Sequence, residues 1–104
     1  MLFAPLFATL LACSGASTPA PTLSPEAERG KVVYATNCTA CHNADPAKAG
    51  SLGPDLKGSS RELVEARVMR AEYPAGYTPK RTSTLMQPLP KLEADIDALA
   101  AYLK

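Results

Sequence analysis

The chain has 104 residues, with 11 basic and 10 acidic side chains and a formal net charge of +1. It has no run of basic residues, which argues against a nucleic-acid partner, and no acidic tail. With no Trp and only two Phe, a folded unit of roughly 80 residues buries a thin core and commonly needs a disulfide, metal or cofactor as a staple.

Residues 1–12 carry no charge and are dominated by Leu, Phe and Ala. Such a run is too short to cross a bilayer as an ordinary helix but suits the apolar region of a secretory signal. The stretch Leu10-Leu11-Ala12-Cys13 resembles the lipobox of bacterial lipoproteins, in which the signal is cut before a Cys that carries diacylglycerol. No charged residue precedes Glu26, a departure from the basic start of most signals. The resemblance implies a signal peptide over 1–12, lipidation at Cys13, a flexible Ser- and Pro-rich tether over 13–23 and a domain over 24–104.

Ser24-Pro25-Glu26 reads as a helix start: serine caps, proline suits the first turn, and Glu26 and Glu28 complement the macrodipole. The spacing predicts a helix over Pro25–Asn37, with Ala27, Gly30, Tyr34 and Cys38 on one face. A glycine inside a helix costs about 1 kcal/mol relative to alanine. Gly30 therefore implies close approach of another element, most simply a last helix over Lys91–Leu103 with its stripe of Leu92, Ile96, Leu99 and Leu103 beside Tyr102.

Cys38-Thr39-Ala40-Cys41-His42 has the spacing of c-type haem attachment. Two thiols in one helical turn can reach the two vinyl groups on one edge of a porphyrin. The next imidazole then meets the iron. A thioredoxin-like pair needs a βαβ context that is absent from the sequence pattern. A zinc site needs four ligands, and the domain offers two Cys and one His. His42 is the only histidine, so the sixth iron ligand is a Met, Lys, Asn, water or none. Met86 sits in Leu85-Met86-Gln87-Pro88-Leu89-Pro90, a stiff extended segment suited to presenting a thioether. Met69 falls in an amphipathic helix over Arg61–Arg70 and reads as core filler. Met86 is therefore the expected ligand.

Residues 43–60 should be loop. The Pro54 carbonyl is a free acceptor for the outer nitrogen of a metal-bound imidazole, so it is expected to accept from His42, with Leu56 packed on the macrocycle. The stretch 72–84 fits no recognised element. Tyr77 and Arg81 are its first candidates for haem-propionate partners, since carboxylates pair well with guanidinium and hydroxyl groups.

Together Gly30, Tyr34, Cys38-x-x-Cys41-His42, Gly53-Pro54-Asp55-Leu56, Met86, Leu99 and Tyr102 resemble the small class I cytochromes c. The resemblance implies an all-α fold in which the first and last helices cross around one covalently bound haem c. It implies iron held by His42 and Met86, single-electron transfer to redox protein partners, no enzymatic activity, and no small-molecule substrate or nucleic acid. With the signal and lipidated Cys13, it implies an envelope or periplasmic protein of a bacterium held at a membrane. Two alternatives remain at this point: a haem c subunit of a dehydrogenase or oxidase complex, and a small-ligand binder with an open sixth site.

Overall fold

The computed structural model describes residues 22–104. The expected signal peptide, Cys13 and nearly all of the tether lie outside the described residues. Those that are described form helices and loops, with no strand among them.

Helix α1 spans Pro25–Asn37. The Ser24 hydroxyl accepts from the Ala27 N–H at 3.1 Å, so the expected cap forms. Ala27, Gly30 and Tyr34 are its buried residues. Helix α2 spans Arg61–Arg70, capped by Ser60, whose hydroxyl accepts from the Leu63 N–H at 3.1 Å. It ends on Ala71 in the left-handed region, with φ 53°. There the Ala71 and Glu72 N–H groups close back onto the Arg67 and Ala66 carbonyls, both at 3.0 Å. That pattern satisfies carbonyls that a helix end leaves free.

The expected continuous helix over Lys91–Leu103 is instead two pieces. A 3-10 turn covers Pro90–Asp95, and helix α3 covers Ile96–Leu103. The Leu89 N–H donates to the Val68 carbonyl of α2 at 2.6 Å, fixing where the chain enters the turn. Residues three apart eclipse in a 3-10 turn. Leu89 and Leu92 are so spaced, and both pack with the core cluster. The turn joins α2 and α3, so tertiary packing sets the tighter winding that apolar spacing alone did not indicate.

Tyr34, Val64, Val68, Leu92, Ile96, Leu99 and Leu103 make the core. Burying one such side chain contributes about 1.5–3 kcal/mol. Helix α3 is the hub: it contacts α1, α2 and the 3-10 turn. Its last carbonyl, on Leu103, accepts from the Gly58 N–H at 2.7 Å, and the Lys57 ammonium reaches the Tyr102 carbonyl at 3.3 Å. The 57–58 turn thus caps α3 from outside, with a cation at the favourable end of its dipole.

The closest approach in the fold is between α1 and α3. A Cβ on Gly30 would overlap the Ala98 carbonyl and lie 3.0 Å from the Cβ of Tyr102. Backbone cannot yield as a flexible side chain can. Gly30→Ala should therefore lower the unfolding free energy by about 1–3 kcal/mol through overpacking, despite a helix-propensity gain of about 1 kcal/mol. Urea melts check this; a stabilised variant would show that the helices can part without cost.

Candidate functional site

Helix α1 delivers the Cys-x-x-Cys-His motif directly. Cys38 caps the helix, its N–H bonding the Tyr34 carbonyl at 2.9 Å. The chain then curls once more: Cys41 and His42 N–H groups both return to the Cys38 carbonyl, at 3.3 and 2.9 Å. The Tyr34 hydroxyl donates to the Asn43 carbonyl at 2.5 Å. This bond ties the end of the motif to the buried face of α1.

The loop after the motif folds back against it. Leu52 and Gly53 N–H groups share the Cys41 carbonyl, at 3.2 and 2.9 Å. Gly50 and Gly53 both sit where no side chain fits. A Cβ on Gly50 would meet the Cys41–Asn43 backbone, and one on Gly53 would collide with the His42 ring. His42 Nδ1 lies 3.0 Å from the Pro54 carbonyl. A carbonyl can only accept, so Nδ1 carries the proton and donates. In the neutral imidazole Nε2 then keeps its lone pair for a metal.

A cavity of about 330 Å³ lies beside this imidazole. Cys38, Cys41, His42, Pro54, Leu56, Tyr77, Arg81 and Met86 all line it, so the structure brings every expected residue of the domain to one place. Met69 packs against the core and is not among the lining residues. Leu52, Leu63, Val64, Val68, Leu85 and Leu89 give the walls an apolar character. Burial pushes the Cys38 thiol up to about 11. Before haem is attached, burial thus favours the protonated thiol, unlike the lowered thiol of a reactive redox pair.

Arg67, Tyr73 and Lys80 also line the cavity; Tyr73 and Lys80 belong to the 72–84 stretch from which haem partners are expected, whereas sequence reasoning missed Arg67. The Arg67 guanidinium lies 4.0 Å above the Tyr73 ring, which stacks on Tyr77 with centroids 5.6 Å apart. Of this group the sequence marks Tyr77 as a first candidate; the left-handed turn at Ala71 brings the three together. The Arg81 guanidinium donates to the Gly50 carbonyl at 3.2 Å. The Lys80 ammonium donates to the Asp55 carbonyl at 3.0 Å and to its carboxylate at 2.9 Å. That hydrogen bond holds the Asp55 carboxyl below its ordinary range.

The donor set suits haem. Among the described residues no three His, Cys, Asp or Glu side chains gather to hold a bare ion. A porphyrin brings four equatorial nitrogens of its own, leaving the protein to supply axial ligands, thiols and an apolar pocket. Cys38, Cys41 and His42 with an apolar cavity beside them meet that need.

Tyr34 gives the site a pH dependence. Burial above all, with the nearby Asp45 carboxylate adding to it, pushes its phenol up to about 12 from an ordinary 10.0. The folded state favours the protonated form, so this contribution is complete below pH 10 and is lost as pH rises toward 12. Unfolding free energy from urea melts should fall more steeply across that window in the parent than in Tyr34→Phe. The variant should also be about 1 kcal/mol less stable at neutral pH, having lost the bond to Asn43. Identical alkaline slopes would show that Tyr34 does not titrate with folding.

The family model for cytochrome c matches residues 27–104. A comparison with curated proteins found no match. The matched region begins inside α1 and includes the haem-attachment motif, the cavity walls and α3. The helical architecture is that of the class I fold, and its cofactor is covalently bound haem c with iron. The turn that presents Cys38, Cys41 and His42 is thus set in the fold built for it, and the chain belongs to the cytochrome c family.

Proposed function

We propose that this cytochrome is a single-electron carrier whose iron is held by His42 and Met86, and that it is exported and tethered to a membrane by a lipid on Cys13. Members of the family are haem c electron carriers that work with redox protein partners. The observation that carries the ligand assignment is the company Met86 keeps. It lines the same cavity as His42, whereas Met69 does not.

Haem, when bound, supplies the one-electron chemistry. The protein's part is to hold still. Gly53 and the Pro54 carbonyl restrain the His42 ring on two sides. Pro88 and Pro90 stiffen the segment that carries Met86. Apolar side chains on the cavity walls would give a bound haem a lower local dielectric than water. A neutral thioether ligand favours a higher potential than a second imidazole.

Among the described residues no helix is long and apolar enough to cross a membrane. Membrane attachment in this reading falls to Cys13, where a diacylglycerol supplies the two chains that stable anchoring requires. Export and haem support each other, because bacteria attach haem to Cys pairs outside the cytoplasm.

In haem-loaded protein Met86→Ala should abolish the methionine-to-iron absorption band and admit carbon monoxide rapidly to the ferrous form. Met69→Ala should retain the band. The reverse result would make Met69 the ligand. In the producing bacterium, Cys13→Ser should move the protein from the membrane fraction to the soluble fraction; unchanged membrane retention would sink the lipid anchor.

A further inference from the structure

The segment 72–84 meets the loop behind His42 through two adjacent cations. Arg81 donates to the Gly50 carbonyl at 3.2 Å, and Lys80 donates to the Asp55 carbonyl and carboxylate at 3.0 and 2.9 Å. Gly50 and Asp55 bracket the residues that hold the imidazole. Between them lie Gly53, which meets the ring, and Pro54, whose carbonyl takes the Nδ1 proton.

We propose that Lys80 and Arg81 are positioning residues that staple both ends of the 50–55 loop and so hold the Pro54 carbonyl on the His42 ring. The inference rests on the reading of His42 as the iron's proximal ligand. An imidazole's outer hydrogen bond fixes its orientation and raises its basicity as a ligand. A Pro54–Asp55 unit with no tether of its own could drift from the ring. Each neighbouring part has another tether: Gly53 through its N–H to Cys41, and Leu56 through its N–H to Pro46. Pro54 has no N–H to offer and Asp55 is half-exposed, so the Lys80 contact secures the end next to the bond that matters.

The staple also links two parts of the site. Lys80 and Arg81 lie six and five residues before Met86 on one run without helix or strand. The segment leading to the distal side therefore grips the proximal loop.

Each contact is at or near the surface, so its individual effect is modest. The test is exchange of the His42 Nδ1 proton with solvent, followed by NMR on the full haem-loaded ferrous protein. Lys80→Met and Asp55→Asn should each speed exchange about threefold to tenfold. Lys80→Met/Arg81→Met should exceed either single change. Lys80→Arg, which keeps a cation for the carboxylate, should restore most of the protection. Exchange of the buried Leu99 amide should stay at the parent rate, separating a loosened loop from a destabilised fold. Unchanged Nδ1 exchange in these variants, or equal acceleration at Leu99, overturns the staple. Absence of haem-induced shifts on the parent His42 ring protons would instead overturn the ligand reading, and the staple's role with it.

Discussion

The site depends on one restrained ring. The His42 imidazole has the Gly53 backbone against it and the Pro54 carbonyl on Nδ1. A methyl at residue 53 would take the ring's space, and the missing N–H of Pro54 leaves its carbonyl as the only hydrogen-bonding group of that backbone unit. Those two properties decide which nitrogen holds the proton and which one faces a metal. The loop can do this because its own N–H groups return to the Cys41 carbonyl, one residue before the imidazole. Ring and restraint are thereby built on the same few atoms of backbone.

That local unit is oriented by a longer lever. Helix α1 can lie against α3 because Gly30 has no side chain at the crossing with Ala98. The same face of α1 buries Tyr34, whose hydroxyl reaches the Asn43 carbonyl just beyond the motif. Tyr34 also tilts against Tyr102 of α3, with ring centroids 5.6 Å apart. Helix packing and motif geometry are coupled through a single phenol. It contributes apolar area to the core and a hydrogen bond to the site at once.

The core explains why the fold asks for a cofactor. Its fully buried large side chains are Tyr34 and Leu99, while Leu56, Met86 and Leu89 are only partly buried at its edge. These three also face the cavity. A macrocycle in that space would finish covering them, joining the fold's stability to the chemistry it hosts. The cations along 80–81 act at the same boundary, where a loop with few apolar contacts is held by polar ones.

The sequence alone determined the features that depend on near neighbours. Capping at Ser24, the bounds Pro25–Asn37 and Arg61–Arg70, and the Cys38–His42 turn follow from residues within one or two turns. The pairing of Pro54 with His42 was also legible, because a donor and a free acceptor twelve residues apart had few other partners. What the sequence left undetermined depends on contacts between distant segments. The 3-10 turn over Pro90–Asp95 is set by the Leu89 bond to Val68, and apolar spacing does not encode that bond. Tyr73 and Lys80 join Arg67 at the cavity only because the chain turns at Ala71 and lays 72–84 beside the 50–55 loop. Local preference follows from the energies of adjacent residues. The choice among distant partners follows from which surfaces remain uncovered when the helices have packed, and only the tertiary structure decides that.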